Sequence, residues 1–95
     1  MLKVKYVSEI KQQVKNVYSK KGASFFVFGS SVNKTNFGDV DLGVMGEVDA
    51  KLVRILKENF EDSTFPYKID IVNFEKVSDK FKDNVFSKKV LWIKH

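Results

Sequence analysis

Between residues 39 and 44 the chain alternates without a break. Asp39, Asp41 and Gly43 take one parity, and Val40, Leu42 and Val44 take the other. A period of two marks a β-strand with one buried face. If the aliphatic residues point into a core, both aspartates leave it on the same side. The fold must therefore carry a core on one sheet face and carboxylates on the other.

The flanking segments indicate what this strand packs with. Val7, Ile10, Val14, Val17 and Tyr18 recur at helical spacing, which predicts a helix over residues 5–21 that stops at Gly22. Residues 24–28 are aromatic and β-branched enough for a buried strand. Asn33, Thr35, Asn36 and Gly38 make residues 33–38 a loop. A second helix begins near Asp49, with Leu52, Ile55, Leu56 and Phe60 on its buried face. Pro66 interrupts the next loop. Residues 67–74 give a third strand, in which Ile69 and Ile71 face away from Asp70. Val77, Phe81, Val85 and Phe86 indicate a last helix. The apolar run Val90-Leu91-Trp92-Ile93 then returns as an edge strand or docks on another chain. The expected fold is a small α/β (α+β) domain: a mixed sheet of three or more strands with helices packed on one face.

At 95 residues the chain allows one domain with one modest core, spanning 1–95. No stretch approaches the roughly 18 apolar residues of a membrane helix. The N-terminal residues lack the apolar run of a signal peptide. Without cysteine there are no disulfides or thiolate metal sites, and a cytoplasmic location is the simplest expectation. His95 is the single histidine and reads as a loose terminus, which excludes Cys/His metal clusters and histidine triads. Lys plus Arg total 17 against 12 acids, a net +5, and Arg54 is the single arginine. That balance favours anionic partners such as nucleotides, RNA or an acidic protein, and equally serves solubility. RNA has the weakest support, because no aromatic-basic motif of an RNA-binding sheet is present.

Asp39 and Asp41 share one side of their strand, and Asp70 has the same surroundings in its own. If the two strands are neighbours, three carboxylates gather on one side of the sheet. Like charges that close oppose one another's ionisation, and a divalent cation reverses the problem. Carboxylate oxygens suit Mg²⁺ or Mn²⁺, with substrate phosphates completing the shell. Gly29 lets a phosphate approach the backbone, and a helical turn from Ser30 would aim N–H groups at it. The hydroxyls of Ser30 and Ser31 add donors, and Lys34 is within reach of the same anion. Asn33 and Asn36 read as turn residues, and Trp92 as packing or partner contact.

These residues together resemble the minimal nucleotidyltransferases, small members of the DNA polymerase beta-like superfamily. That pattern is an apolar residue, Gly, Ser, a loop, Asp-apolar-Asp-apolar and a third acid on a later strand. Here it falls on Phe28-Gly29-Ser30, Asp39-Val40-Asp41-Leu42 and Ile69-Asp70-Ile71. Residues 72–86 also look like the tail of these proteins. The resemblance spans most of the chain, and the three-part motif is more specific than any one piece. Two features differ: Ser31 stands where many relatives carry arginine, and the loop before Asp39 is shorter.

The resemblance implies a nucleotidyltransferase that uses Mg²⁺ or Mn²⁺ and moves a nucleoside monophosphate, AMP from ATP, to a hydroxyl. Asp39, Asp41 and Asp70 would be catalytic and metal-binding. Gly29, Ser30, Ser31 and Lys34 would hold phosphates. The acceptor is left open among a protein tyrosine or serine, a small molecule and an RNA end. The implied partner is a small helical HEPN-type protein, with homo-oligomerisation as a further arrangement. Such a pair resembles a toxin–antitoxin system in which the nucleotidyltransferase is the antitoxin. The alternative is a catalytically weak or inactive antitoxin that neutralises its partner by binding, which the two departures favour.

Overall fold

In the computed structural model, which describes residues 1–18 and 22–94, the alternating segment becomes the strand β2 (Asp39–Gly46). Before it come α1 (Val4–Val17), β1 (Ala23–Phe28) and the single turn α2 (Ser30–Asn33). After it come α3 (Ala50–Glu61), β3 (Lys68–Asn73), α4 (Asp79–Phe86) and β4 (Leu91–Ile93). The described residues form one four-stranded mixed sheet in the order β3-β2-β1-β4. β1 runs antiparallel to both β2 and β4, while β2 and β3 are parallel. A parallel pair needs a crossover connection, and α3 supplies it.

The long helices α1 and α3 cover one face, as the apolar spacing requires. Ile10 and Val14 of α1 and Leu56 and Phe60 of α3 are buried with Phe25, Val27, Val40, Leu42, Val44 and Ile69. Asp49 caps α3, its Oδ1 accepting from the N–H groups of Lys51 (2.9 Å) and Leu52 (3.4 Å). The Tyr18 hydroxyl donates to the carbonyl of Asp49 at 3.1 Å and ties the end of α1 to that cap. α1 ends at Val17 with Tyr18 as its C-cap, so the expected end of the helix at 19–21 lies outside the described residues, as does His95.

The opposite face carries a second, aromatic layer. Phe26 and Phe28 of β1 pack there with Phe74 and with Val85 of α4. The ring of Phe26 lies 4.7 Å from Phe74 and 5.1 Å from Phe86, centroid to centroid. It also lies across Gly43, its register partner on β2, where an added Cβ would sit 2.3 Å from the Phe26 Cζ. Gly43 is therefore the floor on which the ring rests. Edge-to-face and tilted pairs of this kind contribute about 0.5–1.5 kcal/mol each beyond area burial. The final apolar run is an edge strand: Phe25, Phe26 and Val27 pair with Ile93, Trp92 and Leu91. Among the described residues no helix is long and apolar enough to cross a membrane.

Candidate functional site

Parity and register decide where the acids meet. Asp39, Asp41 and Gly43 leave β2 on the side of the aromatic layer, opposite Val40, Leu42 and Val44. The parallel register pairs Asp41 with Asp70 and Asp39 with Lys68. Asp41 and Asp70 are thus direct neighbours on adjacent strands. Their electrostatics show the proximity. The Asp41 carboxyl is held above the ordinary carboxylate range, first by burial, then by the charge of Asp70, then by that of Asp39.

Gly29 closes the other side. Its backbone has φ +79°, a region that side chains rarely adopt, and an added Cβ would stand 2.6 Å from Asp41 Oδ2. The chain thus passes directly over the carboxylate, and only glycine permits that approach. α2 starts at the next residue. The first N–H groups of a helix have no intrahelical partner, so those of Ser30 and Ser31 stand at this end of the turn. Asn33 holds the turn in place: its Nδ2 donates to the carbonyls of Gly29 and Lys89, both at 3.1 Å. Composition marked Asn33 only as a turn residue, and no local signal names a partner in the segment after α4.

Ser30 stands half-buried beside Gly29, and Lys34 is exposed just past the turn, its N–H donating to the Ser30 carbonyl at 2.9 Å. Ser31 departs from the expected arrangement. It is 1% exposed, its Oγ is buried without a hydrogen-bond partner, and it lines a hollow of about 270 Å³ with Leu2, Val7, Val32 and Leu91. The hydroxyl is spent inside the protein, which leaves the Ser31 backbone N–H as the group that a phosphate could use.

The donor chemistry suits a hard divalent cation: carboxylate oxygens on one face, with open backbone at Gly29. Among the described residues, however, no group of three His, Cys, Asp or Glu side chains is arranged to hold a metal ion. The residues fit a cation that arrives with ligands of its own, such as triphosphate oxygens, better than one caged by the protein alone.

Comparison with known proteins bears on the fold and the family. The family model described as polymerase beta, nucleotidyltransferase matches residues 8–95. Among curated proteins nothing matches the chain. The fold is similar to a chain in the structure of the tri-AMPylated Shewanella oneidensis HEPN toxin in complex with MNT antitoxin. That likeness has a TM-score of 0.61 at 14% identity, covering 93% of this chain and 71% of that one. A putative nucleotidyltransferase from Sulfolobus solfataricus has a TM-score of 0.52 at 15% identity, covering 94% of this chain and 79% of that one. The identities are low, so the structures speak for the fold, while the family model spans nearly the whole sequence. The chain belongs to the polymerase beta-like nucleotidyltransferase family.

Proposed function

We propose that this protein is the antitoxin of a HEPN-type pair and neutralises a small helical partner chiefly by binding it, with transfer chemistry weak or absent. The observation that carries this reading is an exposed aromatic surface. Phe81, Phe86 and Trp92 remain 39%, 38% and 47% exposed, and the rings of Phe86 and Trp92 stack at 6.1 Å. Large apolar side chains grouped on one surface mark a protein contact. The likeness to a chain of the Shewanella complex names the kind of partner. Two points favour binding over catalysis: no three-acid metal group is formed among the described residues, and the hydroxyl of Ser31 is withdrawn into the core. Co-expression with the product of the neighbouring gene, then size-exclusion chromatography with light scattering, tests the reading. A stable complex is expected, and a monomer that ignores that protein would oppose it.

A second reading, nucleotidyl transfer, is favoured by the Asp41–Asp70 pair. Gly29, Ser30, the Ser31 backbone and Lys34 would hold the phosphates of ATP. Asp39, Asp41 and Asp70 would face the Mg²⁺ or Mn²⁺ that accompanies them. The ion would supply charge stabilisation when bound. Asp70 or Asp41 would take the proton of the acceptor hydroxyl. Incubation with labelled ATP, Mg²⁺ and the partner, with mass analysis of the partner, separates the two readings.

A further inference from the structure

The sheet ends at β4, whose outer edge pairs with no strand among the described residues. An unpaired edge offers a row of backbone N–H and C=O groups to another extended chain. The register with β1 sorts the side chains of β4. Leu91 and Ile93 lie opposite Val27 and Phe25 on the face covered by α1 and α3, and Trp92 lies opposite Phe26 on the aromatic face. On the helix side of this edge is the hollow of about 270 Å³, which Met1, Val4, Val7 and Leu91 help to line. Val4 is 81% exposed and Met1 55% exposed, so the hollow opens to solvent through an apolar wall. Charge frames the same edge. Lys88 and Lys89 stand just before β4 and Lys94 just after it, and residues 88–94 contain no acid. Along α1, Val4, Ser8, Lys11 and Lys15 fall on one row of helical spacing. Val4 lines the hollow with Leu91, so this row is the flank of α1 beside β4, and Lys11 and Lys15 are exposed on it.

We propose that the outer edge of β4 docks an extended acidic segment of a partner protein, one that alternates aliphatic and acidic residues and joins the sheet beside β4. This goes beyond the docking of a helical partner and does not depend on it. A strand added to an edge takes affinity from its main chain and specificity from the surfaces its side chains meet. Successive side chains of that strand point to opposite faces. Those on the helix face meet the hollow, whose apolar lining suits an aliphatic residue. Those on the other face meet Trp92 and Lys94, which shares its parity, so a carboxylate there finds an ammonium. The lysines also decide against a second copy of this chain. Two β4 strands paired antiparallel about Trp92 would bring Lys94 of one copy toward Lys89 of the other, and like charges oppose that pairing. The opposite edge of the sheet, β3, carries Asp70 beside Asp41 and repels an acidic strand.

The probe is a short synthetic peptide of alternating glutamate and valine, titrated into the full chain, with lysine–valine and glutamate–serine peptides of the same length as controls. The glutamate–valine peptide is expected to bind about tenfold or more tighter than either control, and less tightly as salt rises. It should also slow hydrogen exchange at backbone N–H groups of residues 91–93. The double variant Val4→Glu, Lys94→Glu should weaken the peptide about tenfold or more. Both positions are exposed, and a glutamate in the first turn of α1 suits the helix dipole, which keeps the variant folded. Equal binding of the three peptides, an unchanged affinity in the variant, or exchange slowed on β3 in place of β4 would overturn the proposal. Light scattering of the chain alone is expected to give a monomer. A dimer whose β4 N–H groups are already protected would assign the edge to a second copy and overturn the proposal as well. The helical partner is not in the experiment, so that reading stands or falls separately.

Discussion

Asp41 and Asp70 face each other as register partners on the parallel strands β2 and β3, and the charge of Asp70 is second only to burial in holding the Asp41 carboxyl above its ordinary range. Asp39 adds to the effect from the same strand. The cost of ionising Asp41 is carried by the folded state alone, because an unfolded chain separates and hydrates these groups.

The sign of the resulting pH dependence follows. Because the folded state favours protonated Asp41, that stabilisation is full below the unfolded carboxylate pKa and lost as pH rises through the raised value. Asp41→Asn removes the ionisation. The variant should be more stable than the wild type at neutral pH, and the gap should close as pH falls below the carboxylate range. The carboxyl is partly exposed and so solvent-screened, which keeps the gain below about 1 kcal/mol. Urea denaturation of both proteins from acid to neutral pH measures it. A gap that is constant with pH, or that favours the wild type at neutral pH, would show that Asp41 is structural.

Gly29→Ala should destabilise the fold by about 1–2 kcal/mol and abolish binding of Mg²⁺·ATP. The positive φ supplies one part of the cost and the approach to Asp41 Oδ2 the other. Gly29→Ala combined with Asp41→Ala should recover the steric part and leave the backbone part. Denaturation of the two single variants and the double variant gives the coupling. Strict additivity would count against direct contact.

Gly43→Ala should cost about 1–3 kcal/mol, because the new methyl group enters the ring of Phe26. Pairing it with Phe26→Leu should restore part of the loss. Thermal melts of the three variants decide the matter, and an unchanged melting temperature for Gly43→Ala would place Phe26 elsewhere.

Phe86→Ala and Trp92→Ala should each cost about 1–3 kcal/mol of stability, since more than half of each side chain packs against the aromatic layer, and in addition each should weaken the HEPN-type partner by about tenfold or more. Titration of that partner, with denaturation as the control, separates a docking role from a packing role. Partner affinity equal to the wild type in both variants would move the interface to another surface.

The alternation of Val40, Leu42 and Val44 with the aspartates made β2 legible, and the same pattern around Asp70 marked β3, but the parallel register that sets Asp41 beside Asp70 depends on the α3 crossover and is left open by the sequence. Asp49 was readable as a helix start because capping chemistry is local. Where the final apolar run goes depends on pairing with β1, a contact distant in sequence, so the sequence leaves edge strand and docking segment both open. The aromatic second face was harder. Phe25, Phe26, Val27 and Phe28 are apolar on both parities, which is the mark of a strand buried on both sides. The sequence does not say that α4 supplies the second cover. Ser31 was misplaced because a single helical turn has no periodicity to show which way its side chains point. The role of Asn33 rests on Lys89, far along the chain, and composition carries no trace of it.

The most direct test of neutralisation by binding uses a protein that cannot do carboxylate chemistry. The combined variant Asp39→Asn, Asp41→Asn, Asp70→Asn should fold, because all three side chains leave the sheet on the face away from the α1–α3 core. It should be co-expressed with the HEPN-type partner, with growth and the intact mass of the partner measured together. Binding as the mechanism requires that the variant protect growth as well as the wild type does, with no nucleotidyl adduct on the partner. Loss of protection by a folded variant, alongside an adduct left by the wild type, would contradict it and establish transfer as the mechanism.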